Sequence, residues 1–479
     1  MSVSRSSVIK SLIWKFLERG SVQVVTFVVT IVLARILLPE DYGLIALVLV
    51  FVNVSNVIVD GGLNMALIQK KDADNIDFST IFYTSILLAS FLYILLFVFA
   101  GAIADFYEKP ELVPVIRVLG ISLFFYAITS IQKAFLSRNL LFKKLFYSSL
   151  GAVLVSGVLG IWMAKMGYGV WALVAQNLAV QIVTAIIMWF TVKWRPQLVF
   201  SFERFKGLFN FGWKIFASNF MINLFINVRS LIIGKWYSAD ALAYFDRGKQ
   251  MPSLIIDNIN SSIQSVLFPV LSSEQDNITV VKAMVRRSIK MSAFIIFPLV
   301  IGLIVTAKPL IQSLLTDKWL GAVPFIQIFS IAYMLMPMQI ANLQAIQALG
   351  HSGTTLKIEM LKKAIELVIL IITIPIGVPA IAWGIVVYNA ISLLINAVPN
   401  KKLLNYGVGE QLLDILPILG VAMSMGVIIY PISFLGLSPI CTLVLQILVG
   451  FITYVVLSQI CHLDSFKYLF GLINTRIKK

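Results

Sequence analysis

The sequence predicts an all-α integral membrane protein of about 14 transmembrane helices, arranged as two six-helix lobes around a central cavity with two further C-terminal helices. Three observations predict it. The 479 residues are 59% hydrophobic and only 13% charged, with a mean hydropathy of +0.94, whereas a soluble domain carries about 25% charged residues. Apolar stretches of roughly 20 residues, the length that crosses the hydrocarbon core, recur to the end of the chain. Lys and Arg also segregate into alternate connections, 24 against 6.

The apolar stretches fall near 10–34, 42–63, 79–103, 112–136, 146–165, 169–191, 207–234, 242–268, 287–308, 322–348, 359–377, 379–398, 412–432 and 438–461. Their apolarity is continuous, so they read as helices; barrel strands would alternate polar and apolar residues. The first connection is LARILLPEDYG, Leu33 to Gly43. It reads as a tight interfacial turn, in which Pro39 ends one helix and Asp41 caps the next.

The set rich in Lys and Arg includes the N-terminus, Lys70 and Lys71, Arg138 to Lys144, Lys193 to Lys206, Lys282 to Lys290 and the C-terminal Arg476, Lys478 and Lys479. By the positive-inside rule both termini are expected in the cytoplasm and LARILLPEDYG outside. The N-terminal MSVSRSSVIKSLIWKF lacks the pattern of a cleaved signal and reads as retained.

The chain also echoes itself. Trp14-Lys15-Phe16 recurs as Trp213-Lys214-Ile215, and Asp41 as Asp240, both at an offset of 199. Val113-Pro114 matches Val323-Pro324, and Gly169-Val170-Trp171-Ala172 matches Gly377-Val378-Pro379-Ala380. The expected organisation is an N-lobe over 1–200, a C-lobe over 201–400, and two helices with a cytoplasmic tail over 401–479. Parallel repeats of this kind are a transporter architecture.

Several function classes are excluded. The net charge of +16 is scattered over short loops, so no nucleic-acid partner is expected. Cys441 and Cys461, on one helix, would sit about 30 Å apart, too far to bridge. His351 and His462 are isolated, which leaves no metal site, and no phosphate-cradling Walker A motif is present. Asp72-Ala-Asp74 has the spacing of a metal-binding DxD but lies in a short loop, and reads as acidic and solvated. The chain is not expected to be an enzyme, and no cofactor is expected.

Polar residues interrupt five helices. The first carries Lys15, Glu18 and Arg19 within one turn. The second has Asn53, Asn56, Asp60 and Asn64 at intervals of three and four, and the seventh has Asn219, Asn223 and Asn227 at i, i+4 between Lys214 and Arg229. The eighth carries Asp257, Ser261, Gln264 and Ser265, and the fourth adds Arg117 and Lys133. Charges inside a membrane face a bundle interior or a wet cavity. The stripes therefore predict a net-cationic cavity, against the alternatives of helix–helix hydrogen bonding and of Lys or Arg side chains snorkelling to the interface.

The stretch Leu33 to Asp72 closely resembles the corresponding region of Wzx-type polysaccharide and lipopolysaccharide flippases, in the colanic-acid exporter branch. The shared residues are Leu33 to Arg35, Pro39 to Gly43, Asp60 to Gly62 and Ala66 to Asp72. That family belongs to the multidrug/oligosaccharidyl-lipid/polysaccharide (MOP) exporter superfamily. The resemblance implies translocation of an undecaprenyl-pyrophosphate-linked oligosaccharide from the cytoplasmic to the periplasmic leaflet of a bacterial inner membrane, by alternating access, for surface polysaccharide synthesis.

On that reading Lys15, Arg19, Lys214, Arg117, Lys133 and Arg229 are the candidates for the pyrophosphate. Asn53, Asn56, Asn219, Asn223 and Asn227 are the candidates for sugar hydroxyls. Asp257, Glu18 and Asp60 are the candidates for coupling to a proton or sodium ion. Membrane lipids, a polysaccharide polymerase and chain-length proteins are the expected partners. The competing reading is a cation-coupled multidrug exporter of the same superfamily, which calls for an acidic, aromatic site.

Overall fold

A computed structural model of the chain describes residues 5–468, and every regular element among them is helical. The tail residues Arg476, Lys478 and Lys479 lie outside the described residues. By contacts the chain separates into two compact units, Met1–Ala243 and Tyr244–Lys479.

The first unit runs α1 (Arg5–Ile36), α2 (Pro39–Asp60), α3 (Leu63–Gln69), α4 (Asn75–Tyr107), α5 (Leu112–Gly120), α6 (Ser122–Arg138), α7 (Phe142–Lys165), α8 (Val170–Thr191) and α9 (Phe202–Trp236), and ends in the first residues of α10 (Ala239–Ser273). Within it α7 packs between α1 and α8, and α9 lies along α2, α3 and α4. The second unit continues through α10 to α11 (Ile278–Leu314), α12 (Val323–Met334), α13 (Met336–Ala348), α14 (Ser352–Thr373), α15 (Val378–Leu403), α16 (Val408–Ile429) and α17 (Pro439–Ile460). Its centre is α11, flanked by α12, α13, α16 and α17.

Among the described residues twelve helical segments are long and apolar enough to cross a membrane. The expected eighth and eleventh spans are helical too, as α10 and α14, but they are more polar. α14 carries Lys362 paired with Glu359 at 2.7 Å and Lys363 paired with Glu366 at 2.8 Å. These i, i+3 pairs neutralise charges that its apolar second half does not share.

The turn between α1 and α2 follows its sequence. Pro39 opens α2, where a fixed φ and a missing N–H cost nothing. Asp41 Oδ2 accepts the Leu38 N–H at 3.0 Å, and the Val170 N–H at the start of α8 also donates to this carboxylate. One aspartate thus caps two helices.

Three expected helices are interrupted. α2 stops at Asp60 because Gly61 and Gly62 take left-handed φ values of 53° and 69°, open to glycine at little cost. The spans expected over 112–136 and 322–348 are each split, at Ile121 between α5 and α6 and at Leu335 between α12 and α13. The two breaks fall in the segments that the Val113-Pro114 and Val323-Pro324 echo pairs. At the second, the Asn389 side chain of α15 donates to the Ala332 carbonyl at 2.9 Å, and Gln339 donates to the Asn389 carbonyl at 3.0 Å. In lipid an unsatisfied backbone group costs several kcal/mol, so a polar seam at the break is what makes it tolerable.

Candidate functional site

The first unit brings three of the expected charges together. On α1, Lys15 Nζ pairs with Glu18 Oε2 at 3.0 Å, the i, i+3 geometry of one helical turn. Lys15 also lies 5.7 Å from the Phe142 ring of α7, while Lys143 lies 5.6 Å from the Trp14 ring. Lys133, partly buried on α6, is within electrostatic reach of both Glu18 and Lys15. Two cations therefore share one carboxylate, and Arg19 stands exposed at the next position of α1.

Seven residues earlier on α6, and so on the same face, Tyr126 interacts with Asp60. Asp60 accepts from the Asn64 side chain and from the Gly62 N–H at the α2–α3 break. Around this line the side-chain oxygens of Asn56 and Asn64 and both polar atoms of Gln132 are buried without a hydrogen-bond partner. Buried polar groups are normally satisfied, so these four atoms mark a place suited to water or a polar ligand.

This arrangement can exchange ligands. Lys15 is about half exposed while Glu18 is largely buried, so Lys15 is the partner able to leave the pair for a ligand. Charge-assisted bonds to a phosphate oxygen are roughly twice as strong as neutral ones. The line from Lys15 through Lys133 to Asn56 is basic at one end; toward the α2–α3 break it is polar, with the Asp60 carboxylate held by Asn64 and Gly62.

The other expected residues lie apart from this group. Arg117 stacks on the Phe97 ring at 4.4 Å and donates to the Phe97 carbonyl at 3.4 Å, which commits it to α4. Lys214 is exposed on α9 and Arg229 is partly buried further along it; Asn53 is exposed on α2. Asn219, Asn223 and Asn227 do form one stripe on α9, in which Asn223 donates to the Asn219 carbonyl at 2.9 Å and Asn227 to the Asn223 carbonyl at 2.7 Å. Each bond takes one amide N–H. Asp257 is exposed on α10, and Ser265 lies outside the residues whose side chains are described.

Sequence reasoning missed a clamp at the opposite end of α4 from Arg117. Asp77 is fully buried; Lys70 Nζ lies 2.7 Å from both of its oxygens, and Arg204 of α9 lies at 3.5 Å. Asp74 accepts from the Ile76 and Asp77 N–H groups and pairs with Arg204 at 3.4 Å. The acidic loop that read as merely solvated is thus the N-cap of α4, and those backbone N–H groups, with Arg204 and Lys70, hold the Asp74 carboxyl below the usual range. Arg138 closes the clamp by donating to the carbonyls of Leu67, Ile68, Lys70 and Lys71 at the end of α3. Asp74 and Asp77 stand three residues apart ahead of an apolar run, which is capping-box spacing; that was the available signal.

Comparison with known proteins agrees with this architecture. Residues 32–324 match the family described as polysaccharide biosynthesis protein. The teichuronic acid biosynthesis protein TuaB of Bacillus subtilis is 29% identical over 301 residues, covering 62% of this chain and 62% of TuaB. The lipopolysaccharide biosynthesis protein WzxC of Escherichia coli is 24% identical over 64% of this chain and 62% of its own length. The chain therefore aligns with under two thirds of each of these relatives. Among solved structures, the lipid II flippase MurJ in an inward closed conformation superposes with a TM-score of 0.74 at 15% identity, over 94% of this chain and 98% of MurJ. An inward-facing multidrug resistance MATE transporter of the MOP superfamily gives 0.60 at 15% identity, over 81% of this chain and 98% of its own. At those identities the likeness is one of fold. A matched family segment covering more than half the chain, on a fold that is all helical with twelve apolar spans among the described residues, makes this multi-pass membrane protein a member of the polysaccharide biosynthesis protein family.

Proposed function

We propose that the chain is a flippase that carries a lipid-linked oligosaccharide, with an undecaprenyl-pyrophosphate anchor, across a bacterial inner membrane by alternating access. The observation that carries the reading is the basic group of Lys15 and Lys133 around Glu18, beside buried amide oxygens that lack donors. A pyrophosphate cannot cross hydrocarbon exposed. Lysines meet its charge, and Asn56 and Asn64 meet sugar hydroxyls. The names of TuaB and WzxC, both biosynthetic proteins of surface polymers, support the same substrate class. A multidrug exporter would hold cationic drugs at an acidic site, and two lysines to one glutamate is the opposite balance.

Movement is from the cytoplasmic to the periplasmic leaflet, and the bias in Lys and Arg supports a cytoplasmic place for both termini. A proton or sodium gradient drives the cycle, and a polymerase and chain-length proteins take the product. Export complementation tests the reading. Lys15→Ala combined with Lys133→Ala is expected to lower surface polysaccharide at least about tenfold at unchanged membrane abundance, the scale of one or two charge-assisted bonds. Normal export by the double variant would remove the headgroup role.

A further inference from the structure

A second basic site lies in the other unit, at the start of α11. A cavity of about 270 Å³ is lined there by Arg286, Arg287, Lys290, Asp464, Ser465 and Tyr468, among others. Most of its charges are matched. Arg286 bonds Asp414 at 2.6 Å and Glu410 at 3.3 Å; Lys290 bonds Asp464 at 3.1 Å and lies 4.0 Å from Asp414; Lys282 bonds Glu410 at 3.2 Å. Four cations thus face three carboxylates. Arg287 is the surplus: among the described residues it has no carboxylate partner, and its guanidinium lies 3.6 Å from the centre of the Tyr468 ring. Stacking of this kind fixes the plane of an arginine while leaving its N–H groups free to bond an anion.

Depth and size narrow the ligand. With 37 residues, α11 is about 55 Å long, so about 25 Å lies beyond a hydrocarbon core of about 30 Å. Arg286 to Lys290 follow the first two turns, at headgroup level, on the face that the bias in Lys and Arg predicts to be cytoplasmic. The volume is smaller than the roughly 300–1,000 Å³ of sites that enclose a whole drug-sized ligand. It suits one phosphodiester better than an oligosaccharide. Basic pockets between helices at this depth take anionic lipid headgroups.

We propose that this pocket holds the phosphate of an anionic phospholipid of the cytoplasmic leaflet, with Arg287 as the principal donor and Lys290 beside it. The lipid would tie α11 to the segment after α17, independently of any flipped substrate.

The test uses the full chain purified in detergent, with phosphatidylglycerol, phosphatidylcholine and sodium phosphate as probes. Phosphatidylglycerol is expected to bind more tightly than phosphatidylcholine in native mass spectrometry. Arg287→Ala should weaken phosphatidylglycerol about fivefold, the contribution of one interfacial basic side chain, and leave phosphatidylcholine unchanged. Lys402→Ala, which removes an exposed cation outside the pocket, should change neither. Three outcomes would overturn the proposal: an unaltered lipid preference in Arg287→Ala, an equal loss in Lys402→Ala, or full competition by sodium phosphate at matched concentration. The last would make the pocket a site for a soluble anion. A variant that misfolds betrays itself by losing phosphatidylcholine as well.

Discussion

Gly62 and Gly212 meet backbone to backbone, so closely that a Cβ on Gly62 would overlap the Gly212 carbonyl, while a Cβ on Gly212 would come within 3.1 Å of the Gly62 carbonyl group. The contact joins the α2–α3 break to α9. The two positions are unequal, because only Gly62 also has a left-handed φ. Gly62→Ala is expected to cost about 1–2 kcal/mol for that conformation, plus a further 1–3 kcal/mol of overpacking. Gly212→Ala should cost less. Thermal unfolding in detergent would show the order, and equal effects would refute it.

The Asp77 clamp makes a second prediction. Removing one member of a buried ion pair costs about 3–5 kcal/mol, and Lys70 is partly exposed, so Asp77→Ala should fall at the lower end. Removing Lys70 as well should recover part of the loss, because no charge is then stranded. A double variant that is additively worse would show that Asp77 acts through capping alone.

Asp74 gives a pH dependence. Its folded carboxyl titrates below the unfolded one, held there first by the Asp77 N–H and then by Arg204. Its contribution is therefore present above the unfolded value and lost as pH falls through the folded one. The melting temperature should drop on acidification below about pH 4. Asp74→Asn, which still caps a helix, should drop less over that window. An identical acid profile would exclude Asp74 as a source.

The coupling role proposed for Asp257 separates cleanly from a structural one. Asp257→Asn keeps size and hydrogen bonding but cannot titrate. Transport that persists and no longer responds to collapse of the proton or sodium gradient is the expected result. Transport that responds as in the parent would end the assignment.

Much of the architecture was legible because the bilayer imposes it: continuous apolar runs need only length to be read as spans. The breaks at Ile121 and Leu335 were not, since no run of polarity marks them; Pro337 alone stood as a sign of the second. Lys15 and Glu18 could be joined from their spacing, and Lys133 could be nominated for its charge, but nothing in sequence brought Lys133 within electrostatic reach of Glu18. Arg117 shows the reverse. As an intramembrane arginine it looked like a ligand for phosphate, yet an aromatic ring and a carbonyl one helix away satisfy it. Such partners depend on packing and leave no local trace.

The Ala332 carbonyl at the α12–α13 break receives its donor from Asn389, 57 residues later in the chain. During synthesis α12 and α13 are made well before α15, so that carbonyl enters the bilayer with its eventual partner still unmade. Until α15 arrives, water or the insertion machinery must serve in its place. The order of birth of the helices thus becomes a constraint on how the second unit is assembled: a chain that halts between α13 and α15 carries a defect that the finished protein does not.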